Sequence, residues 1–196
     1  MPQGKQKGNA FERSICKQLS LWFSEGKSDD WFWRSSNSGG RATGRGRKGA
    51  KTTGHYGDIA ATCKEGESLL QCFTIEIKRG YNRCSIADLI DKPEGAAQQQ
   101  YEKWFEQLDE SIDYAHSISY LLIHKRDRRE TVVVLPNITL EHDFRAAGVP
   151  VGLLSPLFHL RRPKENDWWT GTALSSFLSI LKPHNVLSIL RNCGRA

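Results

Sequence analysis

The spacing of apolar residues along the chain predicts a mixture of helices and strands. Apolar positions at Phe11, Ile15, Leu19 and Trp22 recur with a helical period and predict a helix over 9–23. Runs rich in β-branched and aromatic residues predict strands, and two further apolar stripes predict helices. The strands are expected at 30–34, 57–63, 69–78, 120–124 and 131–135, with a short helical turn at 85–90 and a helix at 96–108. The resulting order is α-β-β-β-α-β-β, which indicates an α/β fold with a mixed sheet between helices.

The remainder of the chain is less regular. Residues 140–147 and 173–181 have helical spacing, whereas residues 155–160 are apolar and ambiguous between helix and strand. We therefore expect a core over 1–136 and a C-terminal extension over 137–196, packed on the core or forming a dimer surface. Trp168 and Trp169 stand in a polar stretch and are candidates for packing over the core or for an exposed patch.

The runs at 57–63 and 69–78 carry the most informative polar residues. The intervening polar segment 64–68 contains Gly66 and is interpreted as the turn of a hairpin. Such a hairpin folds Asp58 back opposite 74–76. Because strand side chains alternate, Glu76 and Lys78 share one face and the apolar residues Phe73, Ile75 and Ile77 take the other.

Two carboxylates and an amine on one face of a sheet suit a divalent metal and a phosphodiester. Mg²⁺ prefers hard oxygen ligands and is held by one or two carboxylates while it keeps several waters. A bound metal favours deprotonation of water, and an amine such as that of Lys78 adds a positive charge beside the phosphate. An ordinary surface ion pair is the alternative interpretation of Glu76 and Lys78.

Glu12 is a third acid of interest. In the helical projection it falls within the arc spanned by Phe11, Leu19 and Phe23, on the apolar side. Because burying an unpaired charge is costly, this carboxylate needs a cation. The cation is either an Arg or Lys at the edge of the core or the metal itself.

Composition restricts the possible classes. The chain has 196 residues, 38% of them hydrophobic, which is typical of one compact domain. It contains no apolar run long enough to span a membrane and no apolar leader at its start, and its five cysteines have no zinc-ligand spacing. We therefore expect a cytoplasmic protein with reduced thiols and no membrane association, in a bacterial, archaeal or phage-infected cell.

The net charge of +6 allows an anionic partner, and its distribution is more specific. Residues 39–51 form a Gly/Arg-rich loop without a single acid. Its cations are Arg41, Arg45, Arg47, Lys48 and Lys51. Such a segment cannot form a core, and its arginines suit contact with DNA phosphates. A merely solvated linker is the alternative.

Gly57-Asp58 followed by Glu76-Ile77-Lys78, after a helix that carries Glu12, resembles the PD-(D/E)XK nuclease superfamily. Over about residues 8–135 the chain is most similar to archaeal-type Holliday junction resolvases and related phage nucleases. That resemblance implies a restriction-endonuclease-like sheet flanked by helices. Gly57 stands where the family name has Pro, and the Gly/Arg-rich loop is a larger departure that leaves the substrate open.

The resemblance also assigns roles. Asp58 and Glu76 would bind Mg²⁺, which Mn²⁺ could replace, with the Ile77 carbonyl as a further ligand. Lys78 would act on the attacking water, with Glu12 in support. Arg34, Ser35 and Ser36 correspond to a polar Arg-Ser segment that we expect to contact DNA.

Two further residues are candidates for DNA contact. His55 lies just before Asp58 and could reach a phosphate, although a polar surface position is the alternative. Several nucleases of the superfamily place a Gln on the helix after the Glu-x-Lys strand. Gln100 is the first candidate and Gln98 the second, against a plain solvated helix face.

These residues together predict a Mg²⁺-dependent endodeoxyribonuclease, with a Holliday junction as the first candidate substrate and branched or duplex DNA as its partner. Two equivalent cuts on a junction require two active sites related by a two-fold axis, so we expect a homodimer. A phage or mobile-element nuclease acting on other DNA is the alternative. A catalytically idle nucleic-acid-binding domain of the same fold is a third.

Overall fold

A computed structural model of the chain describes residues 3–35, 57–93, 95–161 and 168–195. The helices are α1 (Gln3–Phe23), α2 (Lys64–Cys72), α3 (Gln100–Ala115), α4 (Leu174–Ile180) and α5 (Pro183–Asn192). The strands are β1 (Phe32–Arg34), β2 (Ile59–Ala61), β3 (Phe73–Arg79), β4 (Ser119–Lys125), β5 (Thr131–Pro136), β6 (Pro156–Arg161) and β7 (Trp168–Ala173). Short 3₁₀ turns at Ile86–Leu89 and Val151–Leu153 and a π-helical segment at Thr139–Phe144 complete the described elements.

Five strands form one mixed sheet in the order β3-β4-β5-β7-β6. The β3 and β4 strands are parallel, and the other neighbours are antiparallel. A separate antiparallel pair, β1 and β2, lies beside the β3 edge. It is joined to that edge where the Asp58 amide donates a hydrogen bond to the Ile75 carbonyl, N···O 2.8 Å. This junction brings the start of β2 to the middle of β3.

The alternating side chains of the sheet enter two hydrophobic cores. On one face, Ile75 and Ile77 of β3 pack with residues of α1, α2, α4 and α5. On the other face, Leu122 and Val134 pack with α3, whose buried side chains include Trp104 and Phe105. The sheet is therefore flanked by helices on both faces, and the expected restriction-endonuclease-like α/β architecture is confirmed.

The hairpin expected across 57–78 is wrong. The chain forms α2 between β2 and β3, and β3 pairs with β4 instead of β2. Leu69 and Cys72 are buried one helical turn apart, a spacing that favours a helix over the extension of a strand. Gly66 is not a turn residue: it lies in α2, where it approaches the Trp31 carbonyl and the Phe32 ring. The proximity of Asp58 to 74–76, which the hairpin served to explain, is nevertheless present.

One other predicted element needs adjustment, and the structure decides two more. The helix expected at 96–108 begins at Gln100 and continues to Ala115, and Ala97, expected on its apolar face, lies before the helix and is exposed. The predicted hairpin of the next two strands is confirmed as β4 and β5. The ambiguous segment 155–160 lies almost entirely in β6.

Residues after 136 contribute directly to the sheet. The β7 strand pairs with β5 on one side and with β6 on the other. Trp169 is only 4% exposed and stacks on Phe105 at a ring-centroid distance of 3.9 Å, so it is part of the core on the α3 face. The exposed role considered for Trp169 is therefore wrong, whereas Trp168 is 46% exposed.

Candidate active site

Asp58 is held against the β3 edge by two backbone contacts. Its amide bonds to the Ile75 carbonyl, and its Oδ2 accepts a hydrogen bond from the Ile77 N–H at 2.8 Å. Gly57 makes this approach possible, because its φ is +88° and a Cβ there would lie 2.5 Å from the Ile75 oxygen. Asp58 is also buried, which restricts the movement of its carboxylate beside the strand.

Glu76 and Lys78 project from β3 on the face that α3 covers. Their side chains form an ion pair with each other, as their shared strand face predicts. Glu76 is buried and Lys78 is largely so, which restricts the orientation of both groups. The carboxylates of Asp58 and Glu76 and the amine of Lys78 therefore meet at the β3 edge, between α1 on one side and α3 on the other.

The charges at this edge are unbalanced. Burial, and then the neighbouring Glu76 carboxylate, hold the pKa of Asp58 well above its usual range, although the Ile77 N–H and Lys78 act in the opposite direction. Burial acts to lower the pKa of Lys78, but Glu76 and Asp58 outweigh it and the pKa is raised. Lys78 therefore carries its charge, and among the described residues it is the cation that acts on both buried carboxylates.

Glu12 lies close to this group but is bound to a cation of its own. The Arg34 Nε donates a hydrogen bond to Glu12 Oε2, and the two side chains form a partly buried ion pair. The Glu12 charge also contributes to the raised pKa of Asp58. Glu12 therefore adds negative potential at the site while Arg34 links α1 to β1.

The helix glutamine nearest the acids differs from those expected. Gln107 of α3 directs its Nε2 to Glu76 Oε1 at 3.5 Å. Gln100 is the first residue of α3, about 10 Å along the axis from Gln107. Gln98 contacts Glu106 instead. The sequence alone offered one signal for Gln107: it lies between Trp104 and Leu108, close to the buried stripe.

The structure places the other expected DNA contacts unevenly. Ser35 is buried, and its amide bonds to the Asp58 carbonyl at 2.8 Å, so the end of β1 adjoins the site. Arg34 is 35% exposed over its side chain. The remaining candidates lie outside the described residues: Ser36, Arg41, Arg45, Arg47, Lys48, Lys51 and His55.

The donor set fits a hard divalent cation. Asp58 and Glu76 are buried carboxylates whose mutual repulsion a cation would relieve, and carboxylate oxygens are preferred Mg²⁺ ligands. Over residues 3–35, 57–93, 95–161 and 168–195, no three His, Cys, Asp or Glu side chains are grouped to hold a metal. A metal here would therefore depend on two carboxylates supplemented by backbone oxygen and water.

Family comparison agrees with this geometry. Residues 3–186 match the model of a family described as "Phage putative PDDEXK endonuclease". The chain belongs to this family. Membership identifies it as a PD-(D/E)XK protein of an endonuclease family, and the match extends through β6, β7 and α4. No curated protein and no solved structure matches the chain.

None of the helices in the described part of this PD-(D/E)XK chain is long and apolar enough to cross a membrane. The cysteines at 16, 63, 72, 84 and 193 are free thiols. Burial raises the pKa of the Cys16 and Cys72 thiols to about 12, so both are inert core residues at neutral pH.

Proposed function

We propose that the protein is a Mg²⁺-dependent endodeoxyribonuclease. The observation that carries this proposal is the convergence of buried Asp58 and Glu76 with Lys78 at one edge of the sheet. Family membership supports the same reaction class. An idle DNA-binding domain is less consistent with this site, because clustered carboxylates repel phosphate and contribute nothing to binding it.

Asp58, Glu76 and the Ile77 carbonyl are the proposed metal ligands. Mg²⁺, or Mn²⁺ in its place, supplies charge stabilisation at the phosphate and favours ionisation of water. The Ile77 N–H fixes the Asp58 carboxylate through Oδ2. Lys78 is held at Glu76, from where its ammonium group orients the attacking water and stabilises charge that develops on the phosphate oxygens.

Charge-neutral substitutions test the reaction. Asp58→Asn and Glu76→Gln should each lower the cleavage rate by about 10³-fold or more, while the protein stays folded. DNA affinity should be retained or increased, because a repulsive carboxylate is removed. Lys78→Ala should lower the rate with less effect on metal affinity.

The matched control is Asp91→Asn, at an exposed position of the loop after β3. Cleavage rates, metal titration by calorimetry and circular dichroism should be measured on the same preparations. Full cleavage activity in Asp58→Asn, with the fold intact, would show that this edge of the sheet is not the catalytic site.

For the substrate we propose branched DNA, with the Holliday junction as the first candidate. Two symmetric nicks need two sites, and a homodimer provides them. The support for a homodimer is the β6 edge: β6 ends the sheet of the described residues, and Leu153 and Trp168 near it are 73% and 46% exposed. The phage family supports the second candidate, a nuclease acting on other DNA.

Sedimentation and substrate choice separate these candidates. A dimer at micromolar concentration, with paired nicks on a four-way junction and slower cutting of matched duplex, is the expected result. A monomer that cuts junction and duplex equally would favour the second candidate and leave the metal-site proposal intact.

A further inference from the structure

A second concave site lies on the α3 face of the sheet, and neither Asp58 nor Glu76 lines it. Its volume is about 320 Å³, within the range of ligand pockets. Tyr101 and His124 are buried at its floor, Phe158 and Leu157 of β6 line one side, and arginines lie at its rim. The proposed cleavage reaction uses none of these residues.

The floor of this cavity is polar and internally satisfied. The Tyr101 hydroxyl and His124 Nδ1 lie 2.6 Å apart, and His124 Nε2 lies 3.3 Å from the Gly80 carbonyl. A neutral ring meets both contacts when Nε2 carries the proton and Nδ1 accepts from tyrosine. The hydroxyl oxygen retains a further lone pair, so the floor can accept a hydrogen bond from a ligand.

One wall is an aromatic ring with a fixed position. Phe158 of β6 lies over Gly171 of β7, where a Cβ would approach the ring to 2.1 Å. Only glycine leaves room for this ring against the sheet. The ring packs against the core on the α3 face and also lines the cavity, where it offers a surface for a flat ligand to stack on.

The rim supplies positive charge. Arg126 and Arg129, from the turn between β4 and β5, line the cavity together with Glu130. Two arginines and an aromatic ring lining one cavity provide donors for a phosphate and an apolar surface for a base. Glu130 offers an acceptor for an exocyclic amine.

The cavity is a neighbour of the candidate active site. Lys78 and His124 are paired positions of the parallel strands β3 and β4, about 5 Å apart between strands. The Arg79 Nη1 also donates to the Arg126 carbonyl at 3.2 Å, which ties the rim to the residue after Lys78. A DNA strand bound at the carboxylates would therefore have this cavity within reach.

We infer that this cavity holds an unpaired nucleotide of the DNA substrate, with its base on Phe158 and its phosphate at Arg126 and Arg129. The inference rests on the proposed function, since DNA is what brings a nucleotide to this face. It adds a substrate class: DNA with an unpaired or extruded base beside the cut. A free nucleotide has the same chemistry, and the experiment below distinguishes the two.

Binding to three probes tests the cavity without cleavage. A short fluorescent single strand, the matching duplex and deoxythymidine monophosphate are titrated with the full chain in EDTA.

Phe158→Leu should weaken single-strand binding by about fivefold or more, because the base can no longer stack on an aromatic ring. Arg129→Ala should weaken it and lower the log-log salt dependence by about 0.7. Leu157→Glu places a negative charge at an exposed rim position, with no demand on the core, and should weaken it as well.

Arg145→Ala is the matched control, because Arg145 is an exposed arginine beside the π-helical segment on the opposite face. It should leave single-strand affinity unchanged, and duplex affinity should change little in any of these variants. Unchanged single-strand affinity in Arg129→Ala and Leu157→Glu would overturn the inference. Binding of the mononucleotide as tight as that of the strand would also overturn it, in favour of a free nucleotide.

These results are independent of catalysis. If the wild type cleaves no DNA but the cavity variants lose single-strand affinity, the cavity assignment stands and the proposed function fails. If the wild type cleaves in an Asp58-dependent manner and the cavity variants bind normally, only the cavity assignment fails.

Discussion

At the residue scale, backbone geometry around a single glycine decides where the first acid lies. Gly57 occupies the position that carries proline in the family name, but its φ of +88° is closed to proline, whose ring fixes φ near −65°. The departure is therefore a structural requirement of this chain. The sharp turn at Gly57 delivers Asp58 to the backbone of β3.

Restoring the family residue should consequently be harmful. Gly57→Pro, and also Gly57→Ala, should lower the free energy of unfolding by about 1–3 kcal/mol and reduce cleavage, because Asp58 is displaced from Ile77. Chemical denaturation and cleavage assays measure the two effects. Gly26→Ala is the control, since Gly26 has a similar φ of +83° but no atom within 4 Å of a new Cβ. Equal losses at both glycines would contradict the proposed close approach.

Glu12 forms the ion pair considered for it, whereas its support of a metal stays a prediction. Its ion pair with Arg34 is present, and its charge acts on Asp58. Glu12→Gln should lower the melting temperature, because Arg34 loses its partner. It should also raise the Mg²⁺ concentration that gives half-maximal cleavage, because negative potential at the site falls. A lower melting temperature with an unchanged Mg²⁺ requirement would remove Glu12 from the site.

His124 gives the protein an acid-sensitive residue. Burial lowers the pKa of His124 to about 4 from an unfolded value near 6.5, so the unfolded chain binds a proton that the folded chain excludes. The contribution of neutral His124 to the free energy of unfolding is fully present above a pH of about 6.5 and is lost as the pH falls towards 4. Urea unfolding between these values should show a weaker pH dependence in His124→Gln. Identical pH dependence in both proteins would contradict this assignment.

At the element scale, α2 shows how a short helix can be mistaken for a turn. Its sequence has one glycine, several polar residues and only nine positions. Packing decides its conformation: Gly66 lets the helix approach β1 and β2, and Leu69 and Cys72 enter the core. Because α2 occupies the connection, β3 is free to pair in parallel with β4.

A larger side chain at Gly66 should therefore disturb this packing. Gly66→Leu should lower the free energy of unfolding by about 1–3 kcal/mol despite the higher helix propensity of leucine. Glu67→Leu is the matched control, because the same residue then lies on the exposed face of α2. Denaturation midpoints of the two variants measure the difference, and a Gly66 variant as stable as the wild type would contradict close helix packing.

At the scale of the whole molecule, charge and substrate are connected. The net charge of +6 includes five cations between residues 41 and 51, a segment that joins β1 to Asp58 and lies outside the described residues. Its two flanks meet at the site, since the Ser35 amide bonds to the Asp58 carbonyl. We therefore keep the prediction that this basic segment contacts DNA phosphates.

Neutralising Arg41, Arg45, Arg47, Lys48 and Lys51 should weaken DNA binding. Every phosphate that the variant no longer neutralises should reduce the log-log salt slope by about 0.9 on duplex DNA, because fewer counterions are released. Fluorescence anisotropy over a salt series measures the slope, with Arg145→Ala as a single-charge control on the α1 face. If the variant with all five substitutions keeps the wild-type salt slope, this segment does not contact the DNA backbone.

The sequence by itself determined which charged side chains lie towards the β3 edge. The period-2 alternation of β3 places Glu76 and Lys78 together, and the period-3.6 stripe of α1 places Glu12 on its inner side, because both patterns depend only on local backbone geometry. The α/β class and the β4–β5 hairpin follow from the same local signals. The PD-(D/E)XK order of acids could likewise be read along the chain.

Only the tertiary structure decided the rest. The parallel pairing of β3 with β4, the helical state of α2, the contact of Gln107 with Glu76 and the burial of Trp169 all depend on residues distant in sequence. Local patterns carry no information about such partners. A short polar segment can be a turn or a helix, and two consecutive tryptophans can be buried or exposed. The physical reason is that these choices are made by close packing between elements, where the free energy of each conformation depends on what lies opposite.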